Sequence, residues 1–410
     1  MKILLINHYA GSPAMGMEYR PYYMAREWIK AGHEVIIVAA TFAHVRTIQP
    51  QTNKNFQEEI IDGITYLWEK TPTYQGNGVK RILNMFSFYR KLKCHARKLA
   101  LKYRPDAVIS SSTYPMDNYA AAKIVKFSGA KHFYEVHDLW PLSPMELGGY
   151  KARHPFIKYL QRAEDFAYKH ADAVISMLPK TLEYMQSRGL KPGKWYYIPN
   201  GINMEEWSCN TTVSSDVIAR LSTIRDKYSC LIAYTGSIGI ANALTTFIDS
   251  ARLLSNEHIA FIIVGKGPEK KTLLQRAEGI ENVFFFDSVP KQQIPDLLSR
   301  FDLLYIGLQR QSLFRFGVSP NKLFDYMMAG KPVIQAIDAG NDPVAESGCG
   351  ISIEPENPQA LADAIKTMMK MPFEKRQEMG NAGKTHVLLH HDYSVLADRF
   401  LRILSDTINS

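Results

Sequence analysis

Ala260-Phe261-Ile262-Ile263-Val264 is an unbroken apolar run, closed at once by Gly265-Lys266-Gly267-Pro268. A strand with one wet face alternates apolar and polar side chains. A run without alternation suits a strand covered on both faces, as in a parallel sheet packed between helices. Val35-Ile36-Ile37-Val38 repeats the pattern near the start of the chain. Outward from these two, strands are expected at 2–7, 33–39, 106–110, 131–136, 172–176 and 194–198, then at 230–234, 258–264, 282–286, 302–305, 332–335 and 350–353. Helical patterns lie between them at 18–31, 78–103, 153–170, 241–254, 266–278, 357–370 and 392–407. Strand and helix alternating through both halves predict an α/β protein of two doubly wound parallel-sheet units, six strands in each.

The breakers Ile198-Pro199-Asn200-Gly201 and the polar stretch from Ser208 to Ser215 place a boundary near residue 200. The expected units are 1–200 and 201–391, with about 392–410 packing back on the first. A length of 410 residues suits two domains, and 46% hydrophobic with 22% charged residues excludes a disordered or fibrous chain. The formal charge of +9 is uneven. Residues 1–200 hold 28 Lys+Arg against 16 Asp+Glu, net +12; the remainder holds 21 against 24, net −3. The cysteines Cys94, Cys209, Cys230 and Cys349 stand far apart with no CxxC pair, so neither a disulfide framework nor a zinc site is indicated. No apolar run approaches the roughly 18–20 residues that cross a bilayer. Met1–His8 reads as a first strand rather than a signal peptide, and a cytoplasmic protein is expected.

In open α/β sheets, ligands bind at loops leaving the carboxyl ends of strands. The loop after the first strand carries Gly11 and Gly16 before a helix whose amides attract anions, though a plain glycine turn accounts for it equally well. Its spacing is not GxGxxG, and no acidic residue ends the second strand, which disfavours a dinucleotide cofactor. Val136-His137-Asp138 sets a His-Asp pair at a strand end, placed for substrate hydroxyls unless it is structural. Tyr234-Thr235-Gly236-Ser237-Ile238-Gly239 and Val264-Gly265-Lys266-Gly267 are small-residue turns that let amides approach phosphate oxygens. Further on, Ser319 suits an N-cap, Pro320 a first helical turn and Gly330 a stop. That short helix would begin beside Gly317-Val318-Ser319, read as free amides able to hold a diphosphate. Lys322 on its first turn can neutralise that charge, and Asp325 can accept bonds from two ribose hydroxyls.

Five segments together resemble retaining glycosyltransferases of family 4, whose GT-B architecture has two facing Rossmann-like domains. They are Gly16-Met17-Glu18 before a helix ending Ala31-Gly32-His33-Glu34-Val35, then Val136-His137-Asp138, Ile198-Pro199-Asn200-Gly201, Asp325 to Ile334, and Glu354 to Ala362. Gly-Met-Glu-Tyr-Arg-Pro and Ser-Pro-Asn-Lys-Leu-Phe-Asp-Tyr-Met are similar to a bacterial subgroup that builds lipopolysaccharide O-antigen and capsule, often with N-acetylated deoxyhexosamines. The resemblance implies a C-terminal helix crossing back to the first domain. It places Gly16 near the donor phosphates and sugar, and His137 in the catalytic pocket at the reacting sugar. Gly236, Ser237 and Gly239 would face the diphosphate, Ser288-Val289 would edge the nucleobase, and Asp325 would hold the ribose. Gly265, Gly317, Val318 and Ser319 complete the expected donor set. Glu18, Arg20 and Asp138 form the expected acceptor set, with Arg153 and Lys158 as further cations. Gly317 stands where the family's first E-x7-E glutamate belongs, and the basic pair usual after the first small-residue turn is absent. Lys322, with Arg315 as the weaker candidate, is the expected replacement and the second catalytic residue.

Such enzymes are thought to retain configuration by a front-face route in which the leaving diphosphate oxygen takes the acceptor's proton, so neither a protein nucleophile nor a cofactor is implied. No Asp-x-Asp stands in a strand-end loop, so no metal is expected. The expected donor is a UDP-sugar carrying a hexose or N-acetylhexosamine, and the expected acceptor is a polyprenyl-diphosphate-linked glycan. Residues 78–104 contain nine Lys/Arg and no acidic residue, interspersed with Leu83, Met85, Phe86, Phe88, Tyr89 and Leu92. Such a helix can lie on an anionic leaflet, each charge contributing roughly 1 kcal/mol, or be a domain helix with a solvated basic face. The first reading makes the protein peripheral on the inner face of the cytoplasmic membrane. No nucleic-acid motif accompanies the charge. The alternatives are a soluble acceptor, or a catalytically silent nucleotide-sugar-binding subunit.

Overall fold

The computed structural model describes residues 1–16, 19–76, 78–208 and 211–410; Glu18, expected at the acceptor, falls outside them. The chain forms two units, Met1–Asn200 with Tyr393–Ser410, and Gly201–Asp392.

The first unit holds β1 (Lys2–Ile6), β2 (Glu34–Ala40), β3 (Gln57–Ile61), β4 (Ile64–Glu69), β5 (Ala107–Ser110), β6 (Lys131–Val136), β7 (Ala173–Ser176) and β8 (Trp195–Tyr197). Their order is β3-β4-β2-β1-β5-β6-β7-β8, parallel except for the β3–β4 hairpin. Six strands were expected, and the hairpin corrects that number to eight. Its turn is Asp62-Gly63, both at positive φ (50° and 82°), the chemistry of a two-residue hairpin loop. β3 is an edge strand whose Gln57, Glu58 and Glu59 hid it from a search for apolar runs.

The second unit holds β9 (Cys230–Thr235), β10 (Ile259–Val264), β11 (Val283–Phe286), β12 (Leu303–Gly307), β13 (Val333–Ala336) and β14 (Gly350–Ile353), all parallel, in the order β11-β10-β9-β12-β13-β14. All six residues of β10 are buried. Ala260, Ile262 and Val264 pack with Leu231, Leu304 and Phe324 on one face; Ile259, Phe261 and Ile263 pack with Phe247 and Leu361 on the other. Two covered faces are the reason the run is apolar throughout. Strand order reverses between β1 and β5 and between β9 and β12, and loops beside such switch points are where open sheets bind ligands.

The C-terminal helix Tyr393–Asn409 belongs to the first unit, against the helix Tyr19–Lys30. Trp28 meets Phe400 edge-on at 5.2 Å and donates its indole N–H to the Ala397 carbonyl. Helices Asn118–Ser128, Ser215–Lys227 and Phe373–His390 lie outside the expected set. The helix Val79–Tyr103 turns Met85, Phe88, Tyr89 and Leu92 into the core of the first unit. The expectation that these side chains could face a membrane is therefore corrected. Val79, Leu83 and Leu101 are the exposed apolar residues of that helix.

Candidate functional site

The loops after β9, β10 and β11 enclose a cavity of about 280 Å³ lined by Thr235, Gly236, Ser237, Val264, Gly265, Lys266, Ser288, Val289 and Ile294. Four expected donor residues, Gly236, Ser237, Gly265 and Val289, thus meet in one place. The two turns are in backbone contact. A Cβ on Gly265 (φ +157°) would sit 1.9 Å from the Gly236 carbonyl oxygen, so only glycine fits there.

Lys322 stands on the first turn of the helix Asn321–Met328. Its Nζ donates to the Tyr234 hydroxyl (2.5 Å) and to Asn242 Oδ1 (3.0 Å), and lies 4.3 Å from the Tyr234 ring centre. A Cβ on Gly236 would come within 3.2 Å of that Nζ, so the ammonium adjoins the cavity's glycine turn. Burial pushes Lys322 down to about 8, with no carboxylate opposing it. A desolvated cation with no counter-ion among the described residues favours an anionic ligand. The helix is pinned by Tyr326, whose hydroxyl accepts from the Thr235 N–H (2.7 Å) and donates to the Thr235 carbonyl (3.0 Å). Asp325 has separate partners. Burial raises its carboxyl to about 6, against the opposing effects of nearby Lys291 and of a hydrogen bond to the Trp207 side chain. Gly239 does not line the cavity; it precedes the turn Ile240–Asn242 that carries Asn242.

The expected run of free amides at Gly317-Val318-Ser319 is corrected. Gly317 N–H donates to the Phe314 carbonyl (2.8 Å), and Val318 N–H donates to Asn341 Oδ1 (2.8 Å). Nor does Ser319 cap the helix, since Pro320 occupies the N-cap with no side-chain bond.

In the first unit, His137 follows β6 and is nearly buried, its side chain 7% exposed. Its Nε2 lies 2.9 Å from Ser111 Oγ and 3.3 Å from Glu135 Oε2, and Ser111 donates to the same carboxylate oxygen (2.6 Å). Asp138 beside it is exposed. Gly16 (φ +68°) ends the short turn Pro13–Met15, and Thr47 N–H ties that turn to the loop after β2 through the Met15 carbonyl. Arg153 and Lys158 are exposed.

Arg20, expected at the acceptor, is an interior residue. It is 2% exposed, and its Nε donates to Glu135 Oε1 (2.8 Å). Its remaining nitrogens donate to the Ile198 (3.0 Å) and Pro199 carbonyls. Glu135 and Ser111 escaped the sequence reading, as did Tyr234, Asn242 and Tyr326. A lone carboxylate in the apolar run before His137 was the available signal, because a buried charge requires partners.

Residues 15–206 match the family model Glycosyltransferase Family 4, and residues 229–371 match Glycosyl transferases group 1. WbjE of Pseudomonas aeruginosa, named as a glycosyltransferase, is 23% identical over 309 residues, 72% of each chain. WcaI of Escherichia coli (strain K12), named for colanic acid biosynthesis, is 23% identical over 362 residues, 84% of this chain and 87% of its own. Among solved structures, sucrose-phosphate synthase from Thermosynechococcus elongatus matches with a TM-score of 0.74 at 16% identity, over 100% of this chain and 99% of that one. Anabaena Alr3699/HepE in complex with UDP gives 0.67 at 16% identity, over 99% and 100%. At these identities the solved structures speak for the fold alone. With both units matched by glycosyltransferase models and each built on its own parallel sheet, the chain belongs to glycosyltransferase family 4 and has the GT-B fold.

Proposed function

We propose that the protein is a retaining glycosyltransferase of bacterial surface-polysaccharide assembly, moving a hexose or N-acetylhexosamine derivative from a UDP-sugar to a polyprenyl-diphosphate-linked glycan. The observation that carries this reading is Lys322, a half-buried ammonium beside the glycine-lined cavity of the second unit. Glycine turns and a cation together suit a diphosphate. The HepE structures in complex with UDP and with UDP-glucose support a uridine nucleotide, and the name of WcaI supports a polysaccharide product. In this reading Gly236, Ser237, Gly265 and Lys322 receive the diphosphate, Gly239 shapes the turn that carries Asn242, Asp325 receives the ribose and Val289 the base. Gly16, Gly317 and Ser319 stay assigned to the donor, and Asp138 to the acceptor. His137 meets the transferred sugar. Catalysis is stabilisation of the leaving diphosphate together with orientation of the acceptor, and no step calls for a metal.

The first unit supplies the acceptor side, and its exposed cations and apolar residues dock it on an anionic membrane. No helix among the described residues is long and apolar enough to cross one.

A melting series with UDP, GDP, UDP-glucose, UDP-N-acetylglucosamine and GDP-mannose tests the donor. A ligand at 100 times its dissociation constant stabilises by roughly 2.7 kcal/mol, so UDP and its sugars raise the melting temperature while GDP and its sugar do not. A response to GDP alone overturns the uridine assignment, and a response to none overturns the donor site. UDP release with a long-chain polyprenyl-diphosphate glycan, but not with a soluble glycan, supports the acceptor. Binding without release favours the silent subunit.

A further inference from the structure

Glu135 lies in a strand buried from His132 to Val136, where an ionised carboxylate is stable only with partners. Burial alone would push its carboxyl up, but the Arg20 guanidinium, with His137 and Ser111, holds it well below the usual carboxylate range. An ionised carboxylate only accepts hydrogen bonds, so the single hydrogen of the Ser111 hydroxyl goes to Oε2. Ser111 Oγ can then meet His137 Nε2, 2.9 Å away, only as an acceptor. Nε2 therefore carries the ring hydrogen, and in the neutral ring Nδ1 carries the lone pair.

We propose that Glu135 and Ser111 are positioning residues, fixing His137 as its Nε2–H tautomer with its ring plane set for the transferred sugar, and that Arg20 holds Glu135 in place. This rests on the reading that His137 meets the reacting sugar. With the tautomer fixed, Nδ1 is the nitrogen that accepts from a sugar hydroxyl, and the state of that one atom sets what the ring can do. A carboxylate that orients one ring nitrogen so that the other can act is the logic of hydrolase triads, and there loss of the correct tautomer slows turnover severely. The network spans the unit. Arg20 comes from the helix after β1, Ser111 from the end of β5 and Glu135 from β6, and Arg20 also ties in the Ile198 and Pro199 carbonyls just before the boundary at Asn200.

The test uses the full-length protein labelled with 15N-histidine, the His137 resonances being identified by their loss in His137→Gln. The wild type shows the Nε2–H pattern. Glu135→Gln gives a mixture of both tautomers, and kcat for UDP release falls about 10- to 100-fold. KM for the sugar nucleotide (UDP-glucose or UDP-N-acetylglucosamine, whichever shifts melting more) stays within about threefold, as expected when ground-state binding is untouched. Glu135→Gln leaves Arg20 buried without its counter-charge. If that variant does not fold, the paired Arg20→Met, Glu135→Gln chain removes both charges and is read the same way. An Nδ1–H wild type, or a folded variant with an unchanged tautomer, overturns the proposal. His137→Gln separates the two readings. If it leaves UDP release intact, the assignment of His137 to the sugar fails whatever the tautomer. If it abolishes release while the Glu135 variants keep both tautomer and kcat, the positioning role alone fails.

Discussion

Glu135 is a buried ion and Lys322 a half-buried one, and their partners leave them in different states. Glu135 has a guanidinium at 2.8 Å and stays charged. Lys322 has a phenol and an amide oxygen, neither of them charged, and burial lowers it to about 8. A bound diphosphate would raise that value again, so binding above pH 8 takes up a proton. Affinity for UDP is then level below pH 8 and falls as pH rises past it, by up to tenfold per unit. Lys322→Met removes this slope and weakens binding at pH 7 by about 10- to 100-fold, the worth of a charge-assisted hydrogen bond. Calorimetric titration with UDP between pH 7 and 9.5 checks both, and an unchanged slope in Lys322→Met excludes the lysine from the site. Lys322 drew notice because a cation on a helix's first turn and two glycine turns are each local features of sequence, although its partners Tyr234 and Asn242, 88 and 80 positions away, were not foreseen. Arg20 was misread because its partner is 115 positions away; nothing in local spacing distinguishes a surface arginine from one facing a buried carboxylate. The amide at 318 was misread for the same reason, since Asn341, which accepts from it, comes from another loop, whereas that at 317 is taken by the carbonyl of nearby Phe314.

At the scale of elements, the expected strands were legible as short apolar runs whatever their final burial, from fully buried β10 to half-buried β8 and β14. Each expected run became a strand, whereas acidic β3 offers no apolar run, and the apolar Ile64–Trp68 of β4, buried except at Thr65, was missed beside it. The helix Phe373–His390 was hidden differently. Its buried residues are Gly380, Gly383 and Val387, so it has no apolar stripe to detect. It packs by close backbone approach. A Cβ at Gly380 would lie 1.9 Å from the Gly330 carbonyl oxygen, and one at Gly383 would lie 2.8 Å from Cys349 Cβ. Alanine favours a helix over glycine by up to about 1 kcal/mol, but here the obstruction at Gly380 is backbone. Overpacking costs typically 1–3 kcal/mol, so Gly380→Ala destabilises on balance. Gly330 ends the segment whose helix carries Lys322, so the displacement should also weaken UDP binding. Urea midpoints and UDP titrations of Gly380→Ala measure the two effects. A variant more stable than the wild type would show that the helix yields easily.

At the scale of the whole molecule, the net +9 resolves into two units of opposite sign. Tyr393–Ser410 adds two Lys+Arg and two Asp+Glu to the first unit, which stays at +12, and Gly201–Asp392 carries −3. Not all of that positive charge is available to a partner. Lys91 faces buried Glu69, and Lys102 is paired with Glu58. Lys80, Arg90, Lys93, Arg97 and Lys98 remain exposed on the same helix, with Val79 and Leu83 exposed at its start. Near an anionic leaflet each such cation contributes roughly 1 kcal/mol, enough in sum for reversible docking without any inserted helix. If the proposed docking holds, the protein sediments with phosphatidylglycerol-containing vesicles and not with pure phosphatidylcholine. Raising salt from about 0.1 to 1 M shortens the screening length from ~10 to ~3 Å and releases most of it. Arg97→Glu with Lys98→Glu should remove the lipid preference, whereas Val79→Ser with Leu83→Ser should weaken binding and leave its salt dependence in place. UDP binding is expected to be unchanged in both, because these side chains belong to the first unit and the proposed nucleotide cavity to the second. Equal sedimentation with neutral and anionic vesicles would mean that the basic half serves the acceptor's own diphosphate rather than a membrane surface.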